Sequence, residues 1–189
     1  MQLVTVTSGN YRFGSDTGTL HVRTGREGFA ASAGHDLLIE VTRWSGTAHV
    51  DRDAPERSSV LASLDVGSFE VRAGTGGVKP LTDDDRAEIK ATLERKVLDR
   101  ARHPAITFVT RAVTTSSDTL RLDGGLTIRG VLRPIIVDVH LVDVAMLHFT
   151  GTASVIQTRW NIIPYKRLFG GLKVADAVTV HLDLTLLPA

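Results

Sequence analysis

The chain has 189 residues, enough for one domain that buries roughly 70% of its unfolded surface. Lysine plus arginine number 22 and aspartate plus glutamate 21, giving a formal net charge of +1, so no global charge draws the chain to nucleic acid or to an anionic membrane. With no cysteine, disulfides and thiolate metal sites are excluded.

The first ten residues lack both a basic start and an apolar run of signal-peptide length, and no stretch approaches 18 apolar residues, so the expectation is a cytoplasmic protein without a membrane span. Tyr11–Phe13 and Leu20–Thr24 are short alternating pieces separated by a Gly/Asp turn. Leu37–Val41, Trp44–Val50 and Val60–Val66 continue the strand pattern, and Asp51–Ser58 reads as a solvated loop. Ala73–Pro80 is glycine-rich and leads into the one convincing helix, about 83–101. Thr82 is its N-cap, Asp85 completes a weak capping box, and Ile89, Leu93 and Val97 form a single stripe. Acidic residues 83–85 at its start and Arg95, Lys96, Arg100 and Arg102 toward its end complement the helix dipole, and Pro104 terminates it.

Ile106 and Phe108 open the next strand. Leu120, Leu122, Leu126 and Ile128 then share one parity and Arg121, Asp123, Thr127 and Arg129 the other, which describes a sheet with one apolar face. The parity survives Gly124-Gly125, so one long strand with a bulge or a close backbone approach is expected there. Gly130 breaks the run, and Val137, Val139 and Leu141 carry the apolar face of an antiparallel neighbour. Phe149–Gln157 is another strand, 160–173 is irregular, and Val178, Val180, Leu182, Leu184 and Leu186 form the cleanest alternation in the chain. About eight amphipathic strands with one helix predict a mainly β fold: a single domain over residues 1–189, built as an antiparallel eight-stranded barrel with one α-helical insertion.

Gly125-Leu-Thr-Ile-Arg-Gly-Val-Leu-Arg-Pro134 resembles the central "G-L-T-I-x-G-V-x-x-P" signature of the YceI-like family. Trp44–Asp51, Ser59–Val66 and His103–Phe108 resemble other family strands in the family's order, so the resemblance covers roughly residues 10 to 187. It implies a lipocalin-like barrel with an elongated apolar tunnel, a polyisoprenoid as ligand, and a family many of whose members are periplasmic. The chain departs from the pattern in Leu98–Pro104, where the family has "F-D-x-x-x-x-P", and the expectation of no signal sequence from the first ten residues would be a second departure.

On that reading the tunnel lining is Phe29, Leu38, Leu64, Val66, Ile106, Phe108, Leu126, Ile128, Val137, Val139, Trp160 and Phe169. Lys79, Arg129 and Arg133 are candidates for an anionic head group, although solvated turn residues are the plainer account of them. The leading expectation is non-catalytic binding, transport or storage of a long apolar lipid, with no cofactor, no metal and no nucleic-acid partner; a homodimer stays open. Two alternatives remain. One is a small hydrolase or isomerase using His35-Asp36, with Ser32 nearby, although the chain has no Gly-x-Ser-x-Gly elbow. The other is a ligand-free structural or stress-related barrel with a filled interior. The segment Trp160 to Phe169 reads as a lid, a membrane-touching loop or a packed crossover.

Overall fold

The computed structural model describes residues 7–116 and 119–189, so the expectation drawn from the first ten residues falls in part outside the described residues. In chain order the elements are β1 (Gly9–Gly14), β2 (Gly18–Arg23), β3 (Arg26–Glu27), β4 (Asp36–Val41), β5 (Trp44–Val50), β6 (Ser59–Asp65) and β7 (Phe69–Thr75). The helix α1 (Asp83–Thr92) follows, then β8 (Ala105–Ser116), β9 (Thr119–Ile128), β10 (Val131–Asp143) and β11 (His148–Ile156). The chain ends with β12 (Lys166–Arg167), β13 (Leu172–Val174), β14 (Ala177–Thr185) and β15 (Leu187–Pro188).

Twelve strands form one curled antiparallel sheet in the order β15-β1-β5-β6-β8-β9-β10-β11-β14-β2-β4-β7, and β12-β13-β3 form a small second sheet. The expected closed eight-stranded barrel is thereby corrected: the sheet has twelve strands. The cause is a line of bends. β1 and β2 pair with β5 and β4 respectively, β6 and β7 do the same from the other side, and β14 and β15 pair with β2 and β1. Each of four long runs is therefore interrupted, at residues 15–17, 42–43, 66–68 and 186, and alternation along a sequence does not reveal such a bend. Polar groups freed at the bends are satisfied locally. The Gly67 N–H donates to Asp65 Oδ1 (2.7 Å), and the hydroxyl of fully buried Ser68 reaches the carbonyls of Asp65 (2.8 Å) and Arg43 (3.2 Å).

The β9–β10 hairpin matches its sequence pattern. Arg129 and Gly130 both have positive φ (52° and 73°) between paired Ile128 and Val131, as a two-residue type I′ turn requires. Pro134 lies inside β10, but β11 pairs with β10 only from Asp138 onward, so the missing N–H interrupts no ladder. β9 runs unbroken through Gly124-Gly125. The irregularity sits on its partner β8, between Thr110 and Ala112, and a Cβ on Gly124 would collide with the Phe108 ring.

The helix is shorter than expected. α1 ends at Thr92, a π-helical turn covers Leu93–Val97, and Asp99 takes a left-handed φ of 50°. β7 carries only a partial alternation through Phe69 and Val71 and was not expected as a strand; its pairing with β4 makes it one.

Candidate functional site

The inward faces enclose a cavity of about 960 Å³, toward the upper end of the roughly 300–1,000 Å³ usual for small-molecule sites. Its wall follows the strand parities. Leu120, Leu122, Leu126 and Ile128 from β9 line it, as do Val137, Val139 and Leu141 from β10. The alternating residues of the last run, Val178 through Leu186, do so as well. Ile89, Leu93 and Val97 of the helical segment close one side; none of them is fully buried, as expected for apolar side chains bordering open space.

The lining reaches both ends of the sheet. One end lies where β5 finishes, β6 starts and β8 finishes, and it is bordered by Asp51, Arg52, Ser58 and Thr115. The other lies where β2 and β7 finish and β4 starts, and there Arg26, His35, Lys79, Asp85, Tyr165 and Arg167 form a polar rim.

Of the twelve expected lining residues, Leu64, Ile106, Phe108, Leu126, Ile128, Val137 and Val139 border the cavity. The other five do not. Leu38 alternates with Leu37 and Ile39, which do line it, so Leu38 points to the outer face. Val66 is sealed in the buried 66–68 turn. Trp160 is 1% exposed and donates its indole N–H to the Leu126 carbonyl at 2.9 Å, packing against the sheet rather than the lumen. Phe29 and Phe169 lie outside, 92% and fully exposed respectively.

The head-group candidates also separate. Lys79 is on the rim. Arg129 donates to the Asn161 carbonyl (3.2 Å) and Arg133 to the Arg159 carbonyl (3.0 Å), so both tie down the 157–161 turn and neither borders the cavity. Lining residues absent from the sequence reading include Phe13, Trp44 and Phe69. Their positions within alternating runs carry the signal, but an aromatic residue in such a run signals a solid core equally well.

Rim charges are largely paired. Lys173 bonds Glu27 at 2.9 Å, and that bond raises its pKa above the ordinary lysine value. Arg167 reaches Glu88 at 3.3 Å and Arg26 lies 3.6 Å from Asp36. Asp85 is held below the usual carboxylate range, first by the Thr82 N–H, with His35 and Arg167 adding smaller attraction. His35 Nε2 lies 2.8 Å from the Lys79 carbonyl, and among the described residues nothing joins it to the Ser32 hydroxyl. No group of three or more potential metal ligands occurs among the described residues.

The family model for the YceI-like domain matches residues 15–186. The chain belongs to the YceI-like family. Among solved structures it is similar to BcnA of Burkholderia cenocepacia at 18% identity, over 88% of this chain and 95% of that one, with a TM-score of 0.64. It is also similar to the Campylobacter jejuni YceI protein, at 13% identity over 78% and 82% with a TM-score of 0.61. A third similar structure is a polyisoprenoid binding domain from Saccharophagus degradans implicated in plant cell wall breakdown, at 8% identity over 97% and 100% with a TM-score of 0.58. At these identities the three show a shared fold. No curated protein matches by sequence. No helix among the described residues is long and apolar enough to cross a membrane.

Proposed function

We propose that this YceI-like protein binds a long apolar lipid, a polyisoprenoid or a chemically similar chain, without catalysing its conversion, and serves to carry or store it. The observation that carries this reading is an open interior of about 960 Å³ walled by aliphatic and aromatic side chains. The description of the Saccharophagus degradans domain as polyisoprenoid binding points the same way. Each methylene moved from water to such a wall contributes about 0.8 kcal/mol, so a five-carbon isoprene unit contributes about 3–4. A few units then suffice for micromolar affinity after association and ordering costs. Lys79, without a carboxylate partner among the described residues, is the cation best placed on the rim for an acidic head group.

Organic extraction of the purified protein with native mass spectrometry tests the reading. A stoichiometric, long-chain lipid should be released, and native mass should fall by its mass. An empty protein that also takes up no added polyprenol would overturn it.

A further inference from the structure

Three of the large apolar residues exposed outside the twelve-stranded sheet, Phe29, Val78 and Phe169, lie at the polar rim; Val144 and Met146 are exposed on the β10–β11 turn and Ile163 ahead of β12. β12 and β13 form a hairpin whose tip is residues 168–171, and β3 pairs with β13 beside it. Phe29, just past β3, adjoins that tip: the Ala30 N–H bonds the Gly171 carbonyl at 2.8 Å, and a Cβ on Gly171 would strike the Phe29 ring. The second ring, Phe169, stands at the tip with a left-handed φ of 54°. The glycine-rich loop supplies a third apolar group, Val78, 80% exposed. This loop is joined to the hairpin side through His35, which meets the Lys79 carbonyl, and through Gly34, which abuts Leu172. Exposed rings on two adjoining tips, with a valine across the opening, make an apolar face around the mouth of an apolar cavity.

Cations flank these groups. The five cations here are Arg26, Lys79, Lys166, Arg167 and Lys173; three are paired, with Asp36, Glu88 and Glu27, and Lys79 and Lys166 have no ion-pair partner among the described residues. The first turn of α1, Asp83–Asp85, adds further carboxylates to the adjoining wall, so the face as a whole is near charge balance, with Lys79 and Lys166 as its unpaired cations. Aromatic tips with adjacent lysine and arginine suit the boundary between acyl chains and phosphate head groups: the rings enter the acyl edge and the ammonium and guanidinium groups stay at phosphate level.

We propose that this rim docks on the surface of a phospholipid bilayer, with Phe29, Phe169 and Val78 inserted and Lys79 and Lys166 at phosphate level, so that an apolar ligand passes between bilayer and cavity without crossing water. The inference rests on the lipid-binding reading above and assigns the partner from which that ligand is taken. It also accounts for the β12–β13 hairpin standing at the mouth, where Arg167, Leu172, Lys173 and Val174 border the cavity.

Sedimentation of the full chain with vesicles of phosphatidylcholine and phosphatidylglycerol tests it, with bound lipid extracted from the same preparations. The wild type should pellet with vesicles. Phe29→Ser/Phe169→Ser should bind at least about tenfold more weakly, because two rings no longer leave water. Phe29→Trp/Phe169→Trp should retain or strengthen binding, since tryptophan favours that depth, and this rescue separates insertion from a folding defect. At equilibrium with added polyprenol in detergent, lipid occupancy should be equal in all three proteins, because neither ring lines the cavity. Wild type that ignores vesicles, or a serine variant that pellets as well as wild type, would overturn docking. If lipid is present but vesicles are ignored, docking alone fails; if vesicles are bound but no lipid is ever held, the carrier reading alone fails.

Discussion

Single side chains set how much of the interior stays open. Gly124 leaves room for the Phe108 ring to lie over β9, so Gly124→Ala should push that ring toward the lumen and cost about 1–3 kcal/mol, seen as a lower urea midpoint with an unchanged slope. Ala153 lines the cavity and is only partly buried. Ala153→Trp should therefore occupy ligand space, lowering extractable lipid several-fold while unfolding stays cooperative. Asp65 holds the bend between β6 and β7. Burial raises its pKa, but the Gly67 N–H and Arg43 outweigh that effect and the net shift is downward. A carboxylate with a depressed folded-state pKa contributes stability that is full above its unfolded value and lost as pH falls through the folded one. Asp65→Asn should thus lower the melting temperature by a few degrees near pH 7 for about 1 kcal/mol lost. It should differ less from wild type below roughly pH 4, as a pH series of melting curves would show.

At the scale of elements, α1 is secured more by its cap and neighbours than by its own core. Thr82 accepts from the Asp85 N–H (3.1 Å) while Asp85 accepts from the Thr82 N–H (2.9 Å), Arg86 donates to the Arg72 carbonyl (2.8 Å), and none of the helix's residues is fully buried. Thr82→Ala should cost about 1 kcal/mol. Because this segment closes one side of the cavity, hydrogen exchange should quicken over residues 83–92 before it quickens in β9 and β10, and lipid should be released faster. The helix start was legible from Thr82 and Asp85, since capping is local chemistry. Its end was not: the change to a π-turn at Leu93 and the left-handed Asp99 follow from fitting the chain down to β8. β7 was missed for a related reason, because its pairing with β4 joins residues 28 to 39 positions apart in the chain.

For the whole molecule, an occupied cavity should act as a stability reserve. A ligand at a hundred times its Kd stabilises by about 2.7 kcal/mol, which for a chain this size corresponds to roughly 5–10 °C. Delipidated protein should therefore melt lower by about that amount, and added polyprenol should restore it. Differential scanning calorimetry of the two forms checks this.

Parity was readable because it is a property of one strand: neighbouring side chains alternate, so the apolar faces of β9, β10 and β14 and the turn at Arg129-Gly130 could be named from residues alone. The family motif has the same local character, being a strand, a turn and a strand. Long-range pairing had to supply the rest. Whether inward side chains meet or stand apart depends on how far the sheet curls, and no single strand records that. The line of bends that makes twelve strands of fewer runs exists only between partners. The same holds for Phe29 and Phe169. In the sequence each is an aromatic that could be core, and the pairing of β3 with β13 brings them to one rim, facing outward.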